Sequence, residues 1–437
     1  MAKRSYFRDI LSVFGSNITV TVSNLLIGVL LSRILGAAGF GIYSSTLVVP
    51  LIVISLTQLG IRRSTMYHIS SGKILEDNIV SAMVILLILT SFLTILISGL
   101  VYLFSESRTS DPRIIILIMF TIPLVLCNIF AGGVFLGKQE ILRANILNAG
   151  PTLMNLVFIV VFVWILKLSV VGAFLALFLG NLVMFFYVFY VIRKSYRITW
   201  KYHEKIMKSM VKLGVVFALS VFVMQLNYRV DILLLKRLST LTQIGIYSLA
   251  TQIAEQLWHI PYAIEAIVLT RSAAEPDENL AHRTVASIAR VSFLIGLAGC
   301  IVIYFLAPPL IPLVFGKDFT GSVPLIQMIL PGVLLLVVFR ILNSRLAGMG
   351  KPQIAIFTFI PALILNVILN LIWIPGHGAM GAVWSTNASY AVGTIIFLTV
   401  YLRRTKMSLY ELVRFRKSDF YFLKNFKNRI KRWRTNP

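Results

Sequence analysis

Arg229 and Asp231 stand in one long apolar stretch of this sequence, and Glu255 and His259 stand in the next. A charge held in apolar surroundings costs several kcal/mol, so its retention signals a cavity or a partner. Arg229 suits an anion, because a guanidinium holds phosphate or carboxylate oxygens through charge-assisted hydrogen bonds. Asp231, Glu255 and His259 suit a coupling proton or a sodium ion. Positions two apart on a helix differ by about 200° of rotation, so Arg229 and Asp231 do not face one cavity together. Asn227 shares the Asp231 face and Gln225 the Arg229 face. Gln252, Glu255, Gln256 and His259, at i, i+3, i+4 and i+7, form a polar stripe that ends at Pro261, where backbone carbonyls are freed. The competing reading is structural: Arg229 pairs with Asp231 or Glu255 and only locks two helices together. For His259, packing is the simpler reading.

Arg290 and Arg340 lie near the ends of later apolar stretches. Long stems that snorkel to water explain them, and so does a cationic vestibule that attracts an anion. Glu265 is close enough to an end to find water, and Arg33 and Arg237 read as helix-end anchors. Asn17, Thr21 and Asn24 share one helix face, as do Asn148, Thr152 and Asn155. Such rows suit sugar hydroxyls and equally suit helix–helix contacts, with contact the simpler reading for the second row. No nucleophile–base set, metal-ligand cluster or Gly-rich phosphate loop stands out, so neither an enzyme nor a cofactor is expected.

The elements that hold these residues follow from composition. The chain has 437 residues, 58% hydrophobic and 13% charged, where soluble domains carry about 25% charged. Polar groups so few cannot cover a water-facing surface, so most of the surface faces lipid. About twelve membrane-spanning helices are expected, near 10–31, 40–60, 79–104, 113–136, 145–166, 169–192, 211–235, 244–269, 285–306, 320–345, 353–374 and 379–402. The net charge of +25 would suggest nucleic acid in a soluble protein, but here the basic residues sit between spans and in the tail. They concentrate at the first end, in the even-numbered connections and after Arg403, which puts both termini in the cytosol. The basic start before the first span resembles a signal peptide but lacks a cleavage site, so a retained first helix is expected. Cys127 and Cys300 lie inside spans and define no disulfide framework.

An internal repeat organises the spans. LLSRILGAAGFGIYS (30–44) matches LLKRLSTLTQIGIYS (234–248), placing Arg33 over Arg237 and Tyr43 over Tyr247. FLGKQ (135–139) recurs as GMGKP (348–352), and VGAFLAL (171–177) as MGAVWST (380–386). The expected domains are six-helix bundles at 1–200 and 201–402, followed by a basic, aromatic tail at 403–437. Halves of six helices point the same way, so they are related by an axis along the membrane normal, with a path between them. The tail interleaves Lys and Arg with Tyr410, Phe415, Phe420, Tyr421, Phe422, Phe426 and Trp433, a composition suited to an anionic leaflet rather than RNA.

This order of features resembles the multidrug, oligosaccharidyl-lipid and polysaccharide flippase superfamily, and within it the polysaccharide (O-antigen type) flippases. LSRILGAAGFGIYSS, NYRVDILLLKRLSTLTQIGIYSLATQI, PYAIEAIVLTRSA and LVFGKDFTGSVPLIQMILP carry the likeness, which spans nearly the whole chain. LTRSAA stands where that family often has a proline near Leu269–Arg271. The resemblance implies a MATE-like, V-shaped, alternating-access pair of bundles in the plasma membrane of a prokaryote. It implies transfer of an undecaprenyl-pyrophosphate-linked oligosaccharide from the cytosolic to the outer leaflet, with a glycan polymerase as a partner. Arg229, Arg290, Arg340, Asn17, Thr21 and Asn24 are then the candidates for substrate contact, and Asp231, Glu255 and His259 for cation coupling. A monomer is expected, since two halves already make one pathway. A cation-coupled drug exporter of the same superfamily would want an acidic, aromatic cavity, and a membrane glycan polymerase or ligase a large outer loop.

Overall fold

The computed structural model describes residues 6–104, 111–200, 203–259, 278–351 and 353–416, with Val268 and Asp419. Glu265 and the aromatic residues from Phe420 onward lie outside the described residues, as does the LTRSAA departure. The described residues are helical throughout: α1 (Tyr6–Thr57), α2 (Ile61–Ser71), α3 (Glu76–Phe104), α4 (Pro112–Gly137), α5 (Ile141–Ile159), α6 (Ser169–Ser195), α7 (Glu204–Leu238) and α8 (Leu241–Ala254). They continue with α9 (Glu278–Phe315), α10 (Ser322–Gly348), α11 (Gln353–Thr405) and a short α12 (Leu409–Val413). Among the described residues nine helical segments are long and apolar enough to cross a membrane. Phe92, Phe305 and Phe357 are 68–71% exposed on them, which fits lipid and not water, since leaving each ring in water forfeits about 1.5–3 kcal/mol. The chain is a multi-pass membrane protein.

Two expected connections shrink to a single residue. The gap between 31 and 40 is one non-helical position, Gly36 at φ 65°, and the gap between 374 and 379 is Gly378 at φ 54°. Both dihedrals lie in the left-handed region that glycine enters without a Cβ clash, so a helix turns there without a loop. The span expected at 145–166 changes pitch partway: α5 gives way to a π-helical turn at Val160–Ile165. The span expected at 244–269 changes as well, because after Ala254 the chain tightens into a 3-10 turn over Glu255–Trp258. In the sequence beyond it, Pro261 has no amide hydrogen to offer the Leu257 carbonyl.

By contact the chain forms two compact units, Met1–Leu249 with Leu310–Ser322, and Ala250–Pro309 with Val323–Pro437. In the first unit α7 and the start of α8 pack among α1 to α6, and glycines allow the approach. A Cβ on Gly41 would lie 2.0 Å from the Leu241 carbonyl oxygen, and one on Gly245 would lie 1.9 Å from that of Ala37. Residues 37 and 41 align with 241 and 245 at the offset of the internal repeat, so this contact is reciprocal, as across a local two-fold axis. Gly60 and Gly214 meet similarly, with a Cβ on Gly214 1.9 Å from the Leu59 oxygen. Buried polar pairs add cohesion where lipid offers no hydrophobic drive: Thr57 to Thr94 at 2.6 Å and Asn128 Nδ2 to Asn181 Oδ1 at 3.3 Å.

In the second unit α10 is the most enclosed span. Phe339 meets Phe359 and Phe397 of α11 with ring centroids 4.5 and 4.7 Å apart. Asn387 joins the two helices by accepting from the Gly332 amide at 3.1 Å and donating to the Met328 carbonyl at 2.6 Å.

Candidate functional site

In the first unit the polar group on α7 is built around Asp231. Its side chain is fully enclosed (0% exposed), and the Tyr247 hydroxyl donates to Oδ2 at 2.7 Å. Asn227, one turn earlier on the same face, is equally enclosed at 0%, whereas Arg229 is half-buried. The α-helical geometry of α7 keeps Arg229 and Asp231 on different faces, as the two-residue spacing requires. Tyr247 is the residue that a reading of α7 alone misses. The signal was present, since Tyr247 is the repeat partner of Tyr43 in the GIYS segment. A hydrogen bond to a buried charged group contributes about 1.5–3 kcal/mol, so Tyr247 holds the Asp231 side chain in position.

In the second unit Trp258, His259 and Arg340 come together at the end of the described part of the eighth span. The Arg340 guanidinium lies over the Trp258 ring, 5.4 Å from its centroid, and its charge reaches His259. Trp258 is buried and had no part in the sequence argument. Because Glu255–Trp258 is a 3-10 turn, successive side chains rotate by about 120° rather than 100°. The stripe expected at i, i+3, i+4 and i+7 therefore does not continue as one straight row.

For Arg290 both snorkelling and a cationic vestibule are open from the sequence, and the structure pairs it with the C-terminal segment. It is 7% exposed. Nε donates to Asp419 Oδ2 at 2.8 Å and Nη2 to Asp419 Oδ1 at 2.6 Å, while Nη1 reaches the carbonyls of Glu411 and Leu412 at 2.9 and 3.1 Å. All three of its nitrogens are engaged by the C-terminal segment. The sequence did carry a hint, because Glu411 and Asp419 are the two acids after Arg403.

The polar row of the first helix meets that of the fifth. Asn148 Nδ2 donates to Ser16 Oγ and Asn17 Oδ1, each at 3.0 Å, and Asn145 Nδ2 donates to Ser12 Oγ at 2.7 Å. Asn17 thus serves helix contact at its Oδ1, while Thr21 bonds back to the Asn17 carbonyl at 2.9 Å and Asn24 stays exposed. Arg33 behaves as a helix-end anchor: its Nε donates to the Val314 carbonyl at 2.6 Å and its Nη2 to that of Leu313, two carbonyls left over at the end of α9. Among the described residues no group of three His, Cys, Asp or Glu side chains is placed to hold a metal ion. Cys127 and Cys300 are buried free thiols.

Comparison with known proteins supplies the lineage of this arrangement. The chain is similar to a multidrug resistance MATE family transporter of the MOP superfamily, solved in an inward-facing conformation, at 16% identity, covering 91% of this chain and 98% of that one with a TM-score of 0.75. It is similar to the lipid II flippase MurJ, solved in an inward closed conformation, at 15% identity, covering 96% and 95% with a TM-score of 0.72. At such identities the likeness is one of fold. A probable low-salt glycan biosynthesis flippase of Haloferax volcanii is 21% identical over 169 residues, a stretch that spans 38% of this chain and 36% of that relative. Residues 6–260 match the family described as polysaccharide biosynthesis protein. The chain therefore belongs to the polysaccharide biosynthesis protein family.

Proposed function

We propose that this protein flips a lipid-linked oligosaccharide, of the undecaprenyl-pyrophosphate type, from the cytosolic to the outer leaflet for cell-surface polysaccharide assembly of the O-antigen kind. The observation that carries the proposal is the charge retained on α7: a half-buried Arg229 beside a fully enclosed Asp231 held by Tyr247, in a helix that lipid alone would keep apolar. Arg229 supplies a cationic contact for the pyrophosphate, and Arg340, Thr21 and Asn24 are further candidates for substrate contact. Asp231, Glu255 and His259 supply the titratable groups through which a proton or sodium ion couples to transport. The topology that suits this role has twelve spans in two six-helix halves, both termini in the cytosol and a prokaryotic plasma membrane around them. The kinks at Gly36 and Gly378 support that count, because each divides one long helix into two spans. A monomer suffices, and a glycan polymerase acts on the delivered product.

The test is rescue of a flippase-deficient cell by Arg229→Ala, Asp231→Ala and Glu255→Gln, scoring surface glycan and lipid-linked oligosaccharide held inside. The proposal expects trapped substrate at normal protein level. Normal surface glycan in all three variants would reduce these charges to structural pairs. Drug efflux without any rescue by the unmutated chain would favour a cation-coupled exporter.

A further inference from the structure

The C-terminal segment returns to the beginning of α9 and is fastened there. Ser408 caps α12, accepting from the Glu411 amide at 3.1 Å, while the Glu411 carboxylate accepts from the Ser408 amide at 3.2 Å. The chain then reaches Asp419, whose carboxylate takes both Arg290 nitrogens and the Arg416 amide, the last at 2.8 Å. Burial opposes ionisation of Asp419, but its hydrogen bonds to Arg290, Arg416 and Ser287 and the Arg290 charge outweigh it, holding its pKa down at about 2. The clasp is therefore a charged pair under all ordinary conditions.

Beside it lies a cavity of about 350 Å³ whose lining includes Arg283, Thr284, Ser287, Arg290, Arg416 and Asp419. Asp419 is matched by Arg290, and Glu411 closes its own capping box. Arg283 and Arg416 have exposed side chains, and among the described residues neither has an ion-pair partner. The cavity thus joins the buried Arg290–Asp419 pair to two exposed guanidinium groups without an ion-pair partner among the described residues, and such planar forks match phosphate oxygens in pairs. Its position also matters, because Arg283 and Arg290 immediately precede the uncharged stretch Val291–Phe315 of α9. A charged edge beside such a stretch is where a water–lipid boundary is expected, the depth at which phosphodiester headgroups sit.

We propose that this cavity is a binding site for a phosphate-bearing anion, gripped by Arg283 and Arg416 above the Arg290–Asp419 clasp. Its source is the headgroup of an anionic membrane lipid, so the C-terminal segment is fastened to the bilayer as well as to α9.

The full chain, delipidated in detergent, is titrated with phosphatidylglycerol and with phosphatidylcholine and read by native mass spectrometry. Inorganic phosphate alone is added in a parallel unfolding series. The unmutated protein retains phosphatidylglycerol over phosphatidylcholine, and Arg283→Gln with Arg416→Gln weakens that retention by about tenfold or more. A paired control, Arg432→Gln with Arg434→Gln, leaves it unchanged. Phosphate that raises the unfolding midpoint of the unmutated chain but not of the Arg283/Arg416 variant, without lipid selectivity, keeps the site and assigns it to free phosphate. The proposal is overturned by unaltered retention in the Arg283/Arg416 variant, by an equal loss in the control, or by no selectivity for either phosphate source.

Discussion

Replacing Gly41 or Gly245 with alanine attacks the reciprocal crossing of α1 and α8. The new Cβ would lie 2.0 Å from the Leu241 oxygen in the first case and 1.9 Å from the Ala37 oxygen in the second, against the 3.4 Å at which ordinary contact begins. The obstructing atoms are backbone carbonyls, so no side chain can swing aside, and the helices must part by about 1.4 Å or bend. Overpacking of this kind costs about 1–3 kcal/mol. Gly99 provides the control, since its added Cβ meets nothing within 4 Å; alanine there is expected to be neutral or to stabilise α3 by up to about 1 kcal/mol. The assay is the unfolding midpoint of the purified chain in detergent. Both crossing variants should fall below the unmutated midpoint, and Gly99→Ala should not. The two crossing glycines share one contact, so parting the helices once relieves both clashes. The double variant should therefore cost clearly less than the two single costs added together. Unchanged midpoints in the single variants, or full additivity in the double, would refute the reciprocal contact.

Tyr247→Phe removes the hydroxyl that donates to the enclosed Asp231 carboxylate and should cost about 1.5–3 kcal/mol; Asp231→Asn should restore part of that loss in the double variant, as an unfolding double-mutant cycle would report. Asp419 has a folded pKa of about 2, below its ordinary 3.8, so its clasp contributes stability that is complete above about pH 4 and lost as pH falls through about 2. The linked contribution is about 2 kcal/mol. Asp419→Asn should flatten that segment of the pH–stability curve relative to the unmutated chain, and identical curves would contradict the clasp.

Much of the fold was legible because membrane helices carry their signal in length and apolarity. The expected spans at 79–104, 113–136 and 169–192 differ from α3, α4 and α6 by only a few residues at their ends. The reciprocal α1–α8 contact is the physical counterpart of the repeat seen between 30–44 and 234–248. What escaped depends on partners distant in sequence. Arg290 and Asp419 lie 129 positions apart, and nothing local to either residue states that they meet. Asn17 and Asn148 are separated by 131 positions, so the sequence, which leaves the first row open between sugar and helix contact, does not show that these two side chains meet. The 3-10 turn at Glu255–Trp258 escaped because helical periodicity assumes a constant pitch. Gly36 escaped as a one-residue break because a glycine in an apolar sequence does not declare whether it bends a helix or starts a loop.

Transfer of a lipid-linked oligosaccharide across a bilayer by the purified protein tests the central claim most directly. The chain is reconstituted into vesicles carrying undecaprenyl-pyrophosphate-linked oligosaccharide in both leaflets, and a glycan-cleaving enzyme outside reads which molecules become accessible. The proposed function predicts that accessible substrate rises from about half to nearly all, and that Arg229→Ala slows the rise while remaining correctly inserted. An accessible fraction that stays at the protein-free level for the unmutated chain, under both proton and sodium gradients, would contradict it.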